Sequence, residues 1–231
     1  MRYLLFDIDG TMTVGGSGEG AGAKALNRAF AELFGIDKAF DGVQKAGKTD
    51  PIIMREGFEL NGVPFIPDSA MKLMRLYLEY LETYLKDPAL RSTILPGVEA
   101  LLTVLADMPD MELGVLTGNW RRGASLKLGS VGLEKYFDGL GAYGEDAATR
   151  PELMTVAWKR YYARHREDIS AADTIIIGDT PGDVECALSN SARVLAVTTG
   201  PFSEEELIAA KATRVMPGLT DIDAVVAFLS E

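Results

Sequence analysis

Two short acidic clusters carry the chemistry that this sequence offers. The first, Asp7-Ile8-Asp9-Gly10-Thr11, puts two carboxylates one residue apart behind the apolar run Tyr3-Leu4-Leu5-Phe6. Side chains alternate along a strand, so both acids reach one cavity only if the chain turns, which Gly10 permits. One could then attack an electrophile while the other moves protons. On its own the segment is also an ordinary turn. The second cluster, Asp179-Thr180-Pro181-Gly182-Asp183, follows Ile175-Ile176-Ile177-Gly178 and precedes a helix expected to open near Pro181. An acid at such a place is often only a helix cap. Gathering Asp7, Asp9, Asp179 and Asp183 is a different matter, because two unit charges ~5 Å apart repel by about 3 kcal/mol at an effective dielectric near 20. Such a group calls for a cation, and an all-oxygen set suits Mg²⁺. Between the clusters, Thr117-Gly118-Asn119 supplies a hydroxyl, backbone N–H groups and an amide able to hold a phosphoryl group.

The elements that must position these residues are legible as short apolar runs. Tyr3 to Phe6, Leu113-Gly114-Val115-Leu116, Ile175 to Gly178 and Val194-Leu195-Ala196-Val197 read as strands buried on both faces of a parallel sheet, with a weaker fifth near Leu140 to Tyr143. Helical spacing links Val98, Leu101, Leu102 and Leu105, and again Ile222, Val225, Val226 and Leu229. Pro151 suits a first helical turn, and Ser203 with Glu206 forms a capping-box pattern. Alternation of strands and helices after residue 96 implies an α/β fold with a doubly wound, Rossmann-like parallel sheet. Asp7, Thr117 and Asp179 would all stand at the carboxyl ends of its strands, where ligands bind in such sheets. Residues 22–86 show helical stripes (Leu26, Phe30, Leu33; Met74, Leu78, Leu81, Leu85) and no clear strand. A Gly-rich stretch from Gly15 to Gly20 leads in and a Pro-marked stretch from Pro88 to Pro96 leads out. The expectation is therefore an inserted all-helical cap domain at 15–91 on hinge-like linkers, with 1–14 and 92–231 forming the core.

Composition removes several function classes. The 231 residues are 47% hydrophobic and carry a formal net charge of −11, which disfavours nucleic-acid and anionic-membrane partners. A single Cys and a single His leave no internal disulfide, thiolate zinc site or multi-histidine centre. The apolar run before Asp7 is too short for a signal peptide, so a cytoplasmic location is expected. His165 reads as a surface residue and Cys186 as packing, whereas Trp120 is placed either in the pocket or in the core. Nothing in the sequence fixes an oligomeric state.

Asp7-x-Asp9-Gly10-Thr11, then Thr117, then Asp179-x-x-x-Asp183, in that order on strand ends, resembles the haloacid dehalogenase superfamily. The likeness is greatest to its phosphoglycolate-phosphatase-like members with a helical cap after the first strand. The resemblance implies that Asp7 is the nucleophile that becomes phosphorylated, that Asp9 protonates the leaving alcohol and then activates water, and that Thr117 binds phosphoryl oxygens. It also implies Mg²⁺ held by Asp7, the Asp9 carbonyl and Asp179, with Asp183 in support. Substrate contacts are expected from Gly10, Gly118 and Asn119, and the substrate itself is a small phosphorylated metabolite.

The family's fixed cation is usually a Lys before Pro, whereas here the dipeptide is Arg150-Pro151. Arg neutralises phosphate but is bulkier than Lys. Arg150 is assigned that role, with Lys127, Lys135 and Lys159 read as solvated surface charges. Gly42 to Thr49 spells the P-loop pattern G-x-x-x-x-G-K-T without the buried strand that a P-loop must follow. In a cap, Gly47-Lys48-Thr49-Asp50 would instead present a cation and hydroxyls over the site, with Lys48 and Thr49 facing the substrate. The leading expectation is a Mg²⁺-dependent phosphatase working through a phosphoaspartate. A phosphosugar mutase of the β-phosphoglucomutase kind, a P-loop nucleotide-binding protein and a non-catalytic regulator are the alternatives.

Overall fold

The computed structural model describes residues 1–15 and 20–231. A six-stranded parallel sheet forms the centre. Its strands are β1 (Arg2–Phe6), β4 (Met111–Leu116), β5 (Gly141–Ala142), β6 (Thr174–Gly178), β7 (Arg193–Val197) and β8 (Arg214–Met216), in the order β5-β4-β1-β6-β7-β8. The chain first runs outward from β1 through β4 to β5, then returns to the other side of β1 and runs out through β8. That reversal leaves a crevice at the carboxyl ends of β4, β1 and β6, the usual ligand position in an open α/β sheet.

Alternation along the strands builds two cores. Leu4, Phe6, Val115, Ile175, Ile177, Leu195 and Val197 face α4 (Val98–Ala106), α5 (Arg121–Ser130) and α9 (Ile222–Ser230). Tyr3, Leu5, Leu116, Ile176, Val194 and Ala196 face α6 (Arg150–His165), α7 (Pro181–Ser189) and α8 (Glu204–Ala209). Gly114 on β4 leaves the space that the Tyr3 ring fills. The helix starts follow capping chemistry: Thr149 with Glu152, Thr180 with Asp183 and Ser203 with Glu206 each form a complete capping box.

After β1 the chain makes a small antiparallel pair, β2 (Thr13–Val14) with β3 (Thr93–Ile94). Between these two strands lie α1 (Gly20–Phe34), α2 (Asp50–Leu60) and α3 (Pro67–Tyr84). They share a third apolar cluster, in which Phe30 packs edge-on to Phe40 and Phe58. Of the expected linker from Gly15 to Gly20, residues 16–19 lie outside the described residues. Residues 36–49 contain no strand, so Gly42 to Thr49 lacks the framework of a P-loop. The α3 face turned inward is Leu73, Tyr77 and Leu81, one position off the Met74–Leu78 part of the stripe read from the sequence. Both α2 and β8 are additions to the sequence reading.

Candidate active site

A cavity of about 420 Å³ opens at the sheet's crevice, roofed by the three inserted helices. Its core-side lining includes Asp7, Asp9, Gly10, Thr117, Arg150 and Asp179, and its roof includes Leu26, Lys48, Asp50, Ile53 and Tyr77. Asp7 continues β1, its N–H donating to the Ile177 carbonyl at 2.9 Å. The chain then curls back, with Met12 and Thr13 N–H both on the Ile8 carbonyl, and Gly10 adopts φ +86°. This turn brings Asp7 and Asp9 to one cavity despite their alternate positions. A Cβ at Gly10 or Gly200 would collide with the Asp179 carboxylate, so both glycines make room for it.

Asp7, Asp179 and Asp183 each offer an oxygen within 4.8 Å of the others', and all three are buried. Burial pushes the Asp7 and Asp179 carboxyls above the usual carboxylate range, and repulsion adds to it, from Asp183 and Asp9 on Asp7 and from Asp7 and Asp183 on Asp179. Arg150 opposes this only in part. Its guanidinium lies 3.1 Å from Asp7 Oδ2 and bonds Asp183 Oδ1, while its Nε has no partner among the described residues. Asp183 Oδ2 is itself occupied by the N–H and hydroxyl of Thr180. Thr11 donates to Asp179 Oδ1 at 2.8 Å. A buried all-carboxylate group with surplus negative charge fits a hard divalent cation.

Asp9 stands apart from that triad. Its Oδ2 accepts from Lys127 Nζ at 2.6 Å and from Asn119 Nδ2 at 2.8 Å. Although the surrounding protein works against its ionisation, Lys127 and Asn119 hold Asp9 below the usual range. Lys127 is not the solvated surface charge expected from the sequence. It is 9% exposed, because α1 and α3 close over the face of α5 that carries it. Lys135, on Glu99, and Lys159 are surface residues as read. Asn119 was expected to touch substrate, yet its amide is spent within the protein, bonding Asp9, Thr117 Oγ1 and Lys127. Thr117 Oγ1 accepts there, which leaves its hydroxyl proton to be donated on the cavity side.

The roof is seated on the core at Gly118. The Asp50 N–H donates to the Gly118 carbonyl at 2.7 Å, and Asp50 Oδ2 accepts from Trp120 N–H at 2.9 Å. A Cβ at Gly118 would collide with the Lys48 carbonyl. Lys48 lines the cavity with its ammonium between both Glu56 oxygens, 2.7 Å from each. Thr49 is buried as the residue preceding α2. Asp50, driven up to about 7 by burial, lines the cavity at the end of the Gly47–Asp50 stretch, and Tyr77 is a cavity residue that the sequence did not single out. Trp120 meets both of its readings, since it lines the cavity and packs in the helical apolar cluster with its ring tilted against Tyr77. His165 is half-buried against Tyr161 and Glu112 rather than free on the surface, and Cys186 packs in the core.

A family model described as haloacid dehalogenase-like hydrolase matches residues 4–188. The chain belongs to that family. Solved structures similar to this haloacid dehalogenase-like hydrolase include a predicted phosphatase from Clostridium acetobutylicum, 25% identical, with a TM-score of 0.70 and 99% of each chain covered. A predicted phosphoglycolate phosphatase from Haemophilus somnus 129pt is 16% identical, with a TM-score of 0.72 and 98% of each chain covered. CbbY from Rhodobacter sphaeroides in complex with phosphate is 17% identical, with a TM-score of 0.75 and 96% of each chain covered. No curated protein matches the chain. Among the described residues, no helix is long and apolar enough to cross a membrane.

Proposed function

We propose that the protein is a Mg²⁺-dependent phosphatase of small phosphate monoesters, acting through a phosphoaspartate on Asp7, with the three inserted helices serving as its cap. The observation that carries the reading is the arrangement of Asp7 and Asp9 on one cavity with different partners: Asp7 among acids and a guanidinium, Asp9 on an ammonium and an amide. Asp7 attacks phosphorus and Asp9 hands a proton to the departing alcohol, after which Asp9 takes a proton from the water that releases phosphate. Arg150 offsets charge between Asp7 and the phosphate dianion, and the Thr117 hydroxyl donates to a phosphoryl oxygen. Asp7, the Asp9 carbonyl and Asp179 would hold Mg²⁺, with Asp183 in support through Arg150 and Thr180. When bound, the ion supplies the positive charge that lets a carboxylate approach a phosphate dianion.

A cavity of about 420 Å³ under a seated roof favours a small metabolite over a phosphoprotein. The family's phosphatase-named structural relatives support the same substrate chemistry. The test is a panel of small phosphate esters, including phosphoglycolate and sugar phosphates, with Mg²⁺ and with Asp7→Asn in parallel. Metal-dependent phosphate release that falls at least about a thousandfold in Asp7→Asn is expected, as for loss of a nucleophile. Release that is unchanged in the variant, or no release from any ester, would overturn the proposal.

A further inference from the structure

The two buried cations of the site serve different acids. Arg150 bonds Asp7 and Asp183, whereas Lys127, entering from α5, bonds Asp9 Oδ2 at 2.6 Å and Asn119 Oδ1 at 2.7 Å. Asn119 Nδ2 returns to the same Asp9 oxygen at 2.8 Å, so Lys127, Asn119 and Asp9 close a three-membered hydrogen-bonded ring. Asn119 Nδ2 also reaches Thr117 Oγ1 at 2.8 Å, which ties the ring to the phosphoryl-binding hydroxyl. Both donors converge on Oδ2. Among the described residues no hydrogen bond is made by Asp9 Oδ1, and the Asp9 side chain is 48% exposed while that of Lys127 is 11% exposed. A carboxylate held at one oxygen by an ammonium and an amide has lost most of its torsional freedom, and its other oxygen has a fixed position in the cavity.

We propose that Lys127 is a positioning residue that, with Asn119, fixes Asp9 so that its Oδ1 meets the ester oxygen of the substrate. The proposal rests on the phosphatase reading above and deepens it. In the step concerned, an Asp7 oxygen bonds to phosphorus as the P–O ester bond breaks. Asp9, ionised against Lys127 in the empty site, takes a proton on Oδ1 from the monoanionic form of the incoming ester; the electron pair of the breaking P–O bond then stays on the ester oxygen, which takes that proton and leaves as the alcohol. Lys127 touches neither phosphorus nor the ester oxygen and acts only through Asp9. The roof contributes as well: a Cβ at Gly22 on α1 would lie 3.9 Å from both Lys127 Nζ and the Tyr77 hydroxyl, so the inserted helices shut water away from the ammonium. In the empty site the charge that replaces that water is the one on ionised Asp9.

The leaving group decides the test. An alkyl phosphate must have its alkoxide protonated as it departs, whereas 4-nitrophenolate leaves without a proton. kcat/KM reads only the steps up to formation of the phosphoenzyme, so later hydrolysis does not blur the contrast. In Lys127→Met, kcat/KM is expected to fall about a hundredfold or more on an alkyl phosphate and less than about threefold on 4-nitrophenyl phosphate, the lower range for a lost acid catalyst. Asp9→Asn should show the same contrast, and the double variant should lose no more than Asp9→Asn alone. A partly unfolded variant would lose both substrates equally, so the ratio between esters is protected against that outcome. Equal losses on the two esters would overturn the proposal and make Lys127 a substrate-binding or structural cation. Wild-type protein that releases phosphate from neither ester would overturn the phosphatase reading itself.

Discussion

Arg150 stands where two buried acids would otherwise face each other, Asp7 just past the end of β1 and Asp183 on α7. Removing one partner of such a cluster leaves uncompensated buried charge, which typically costs about 3–5 kcal/mol. Arg150→Met is therefore expected to lower urea-unfolding stability by that amount in metal-free protein and phosphate release by at least about a hundredfold. Arg150→Lys keeps the charge but is a point donor, so it should fall between the two. Gly200→Ala probes the same acids from the other side. Its Cβ would push Asp179 away, and the metal concentration for half-maximal activity should rise at least about tenfold, whereas an unchanged value would detach Asp179 from the metal. Asp7 and Asp179 were legible because each closes a short apolar run, and strand ends in an α/β sheet share one crevice. Lys127 was not. Its neighbours Arg121, Arg122, Ser125 and Ser130 give α5 the look of a solvated helix, and its burial comes from α1 and α3, about a hundred and about fifty residues away in sequence respectively.

At the scale of elements, the inserted helices are docked through a helix start. Trp120 precedes α5, and its N–H together with that of Arg121 would lack intrahelical acceptors. Asp50 from α2 accepts the first at 2.9 Å, and Glu145 accepts the second at 3.0 Å. The positive end of α5 favours a charged acceptor there, yet burial drives Asp50 up to about 7. The unfolded value is near 4, so between pH 4 and 7 the folded state binds the extra proton. Asp50 thus subtracts stability as pH rises through that window, by at most about 1.4 kcal/mol per pH unit, and the loss levels off above 7. Asp50→Asn keeps an acceptor for Trp120 without the charge. Its stability should fall less steeply from pH 5 to 7 than that of wild type, as read by urea unfolding without metal, and parallel slopes would show that Asp50 does not titrate in this range. The element α2 escaped the sequence reading because Gly57, which makes room for the Phe40 ring, interrupts its apolar face. β8 escaped because only three residues pair, at the sheet's edge.

For the whole molecule, the net charge of −11 and the buried acids act in the same direction. Asp7 and Asp179 are both held above their unfolded values, so the folded state takes up protons that the unfolded chain releases. By the same sign, these two acids are expected to cost metal-free protein stability as pH rises through the raised carboxyl range. A divalent ion requires those acids deprotonated, so protons compete with it at low pH and leave it free to bind at high pH. Ion at a hundred times its dissociation constant adds about 2.7 kcal/mol, or a Tm rise of roughly 5–11 °C for a chain of this size. Scanning calorimetry with and without Mg²⁺ should therefore show the larger increment at pH 8 and a smaller one at pH 5, with the two Tm-versus-pH curves diverging as pH rises. The apparent loss of stability at neutral pH is then the counterpart of metal affinity, since the repulsion that weakens the empty fold is the same repulsion that a cation relieves. An increment larger at pH 5 than at pH 8, or equal at both, would mean that the ion is held somewhere other than on these carboxylates. Removing Asp179 as Asn should abolish the increment at pH 8 and at the same time raise the metal-free Tm, a pair of opposite shifts that a merely structural aspartate would not produce.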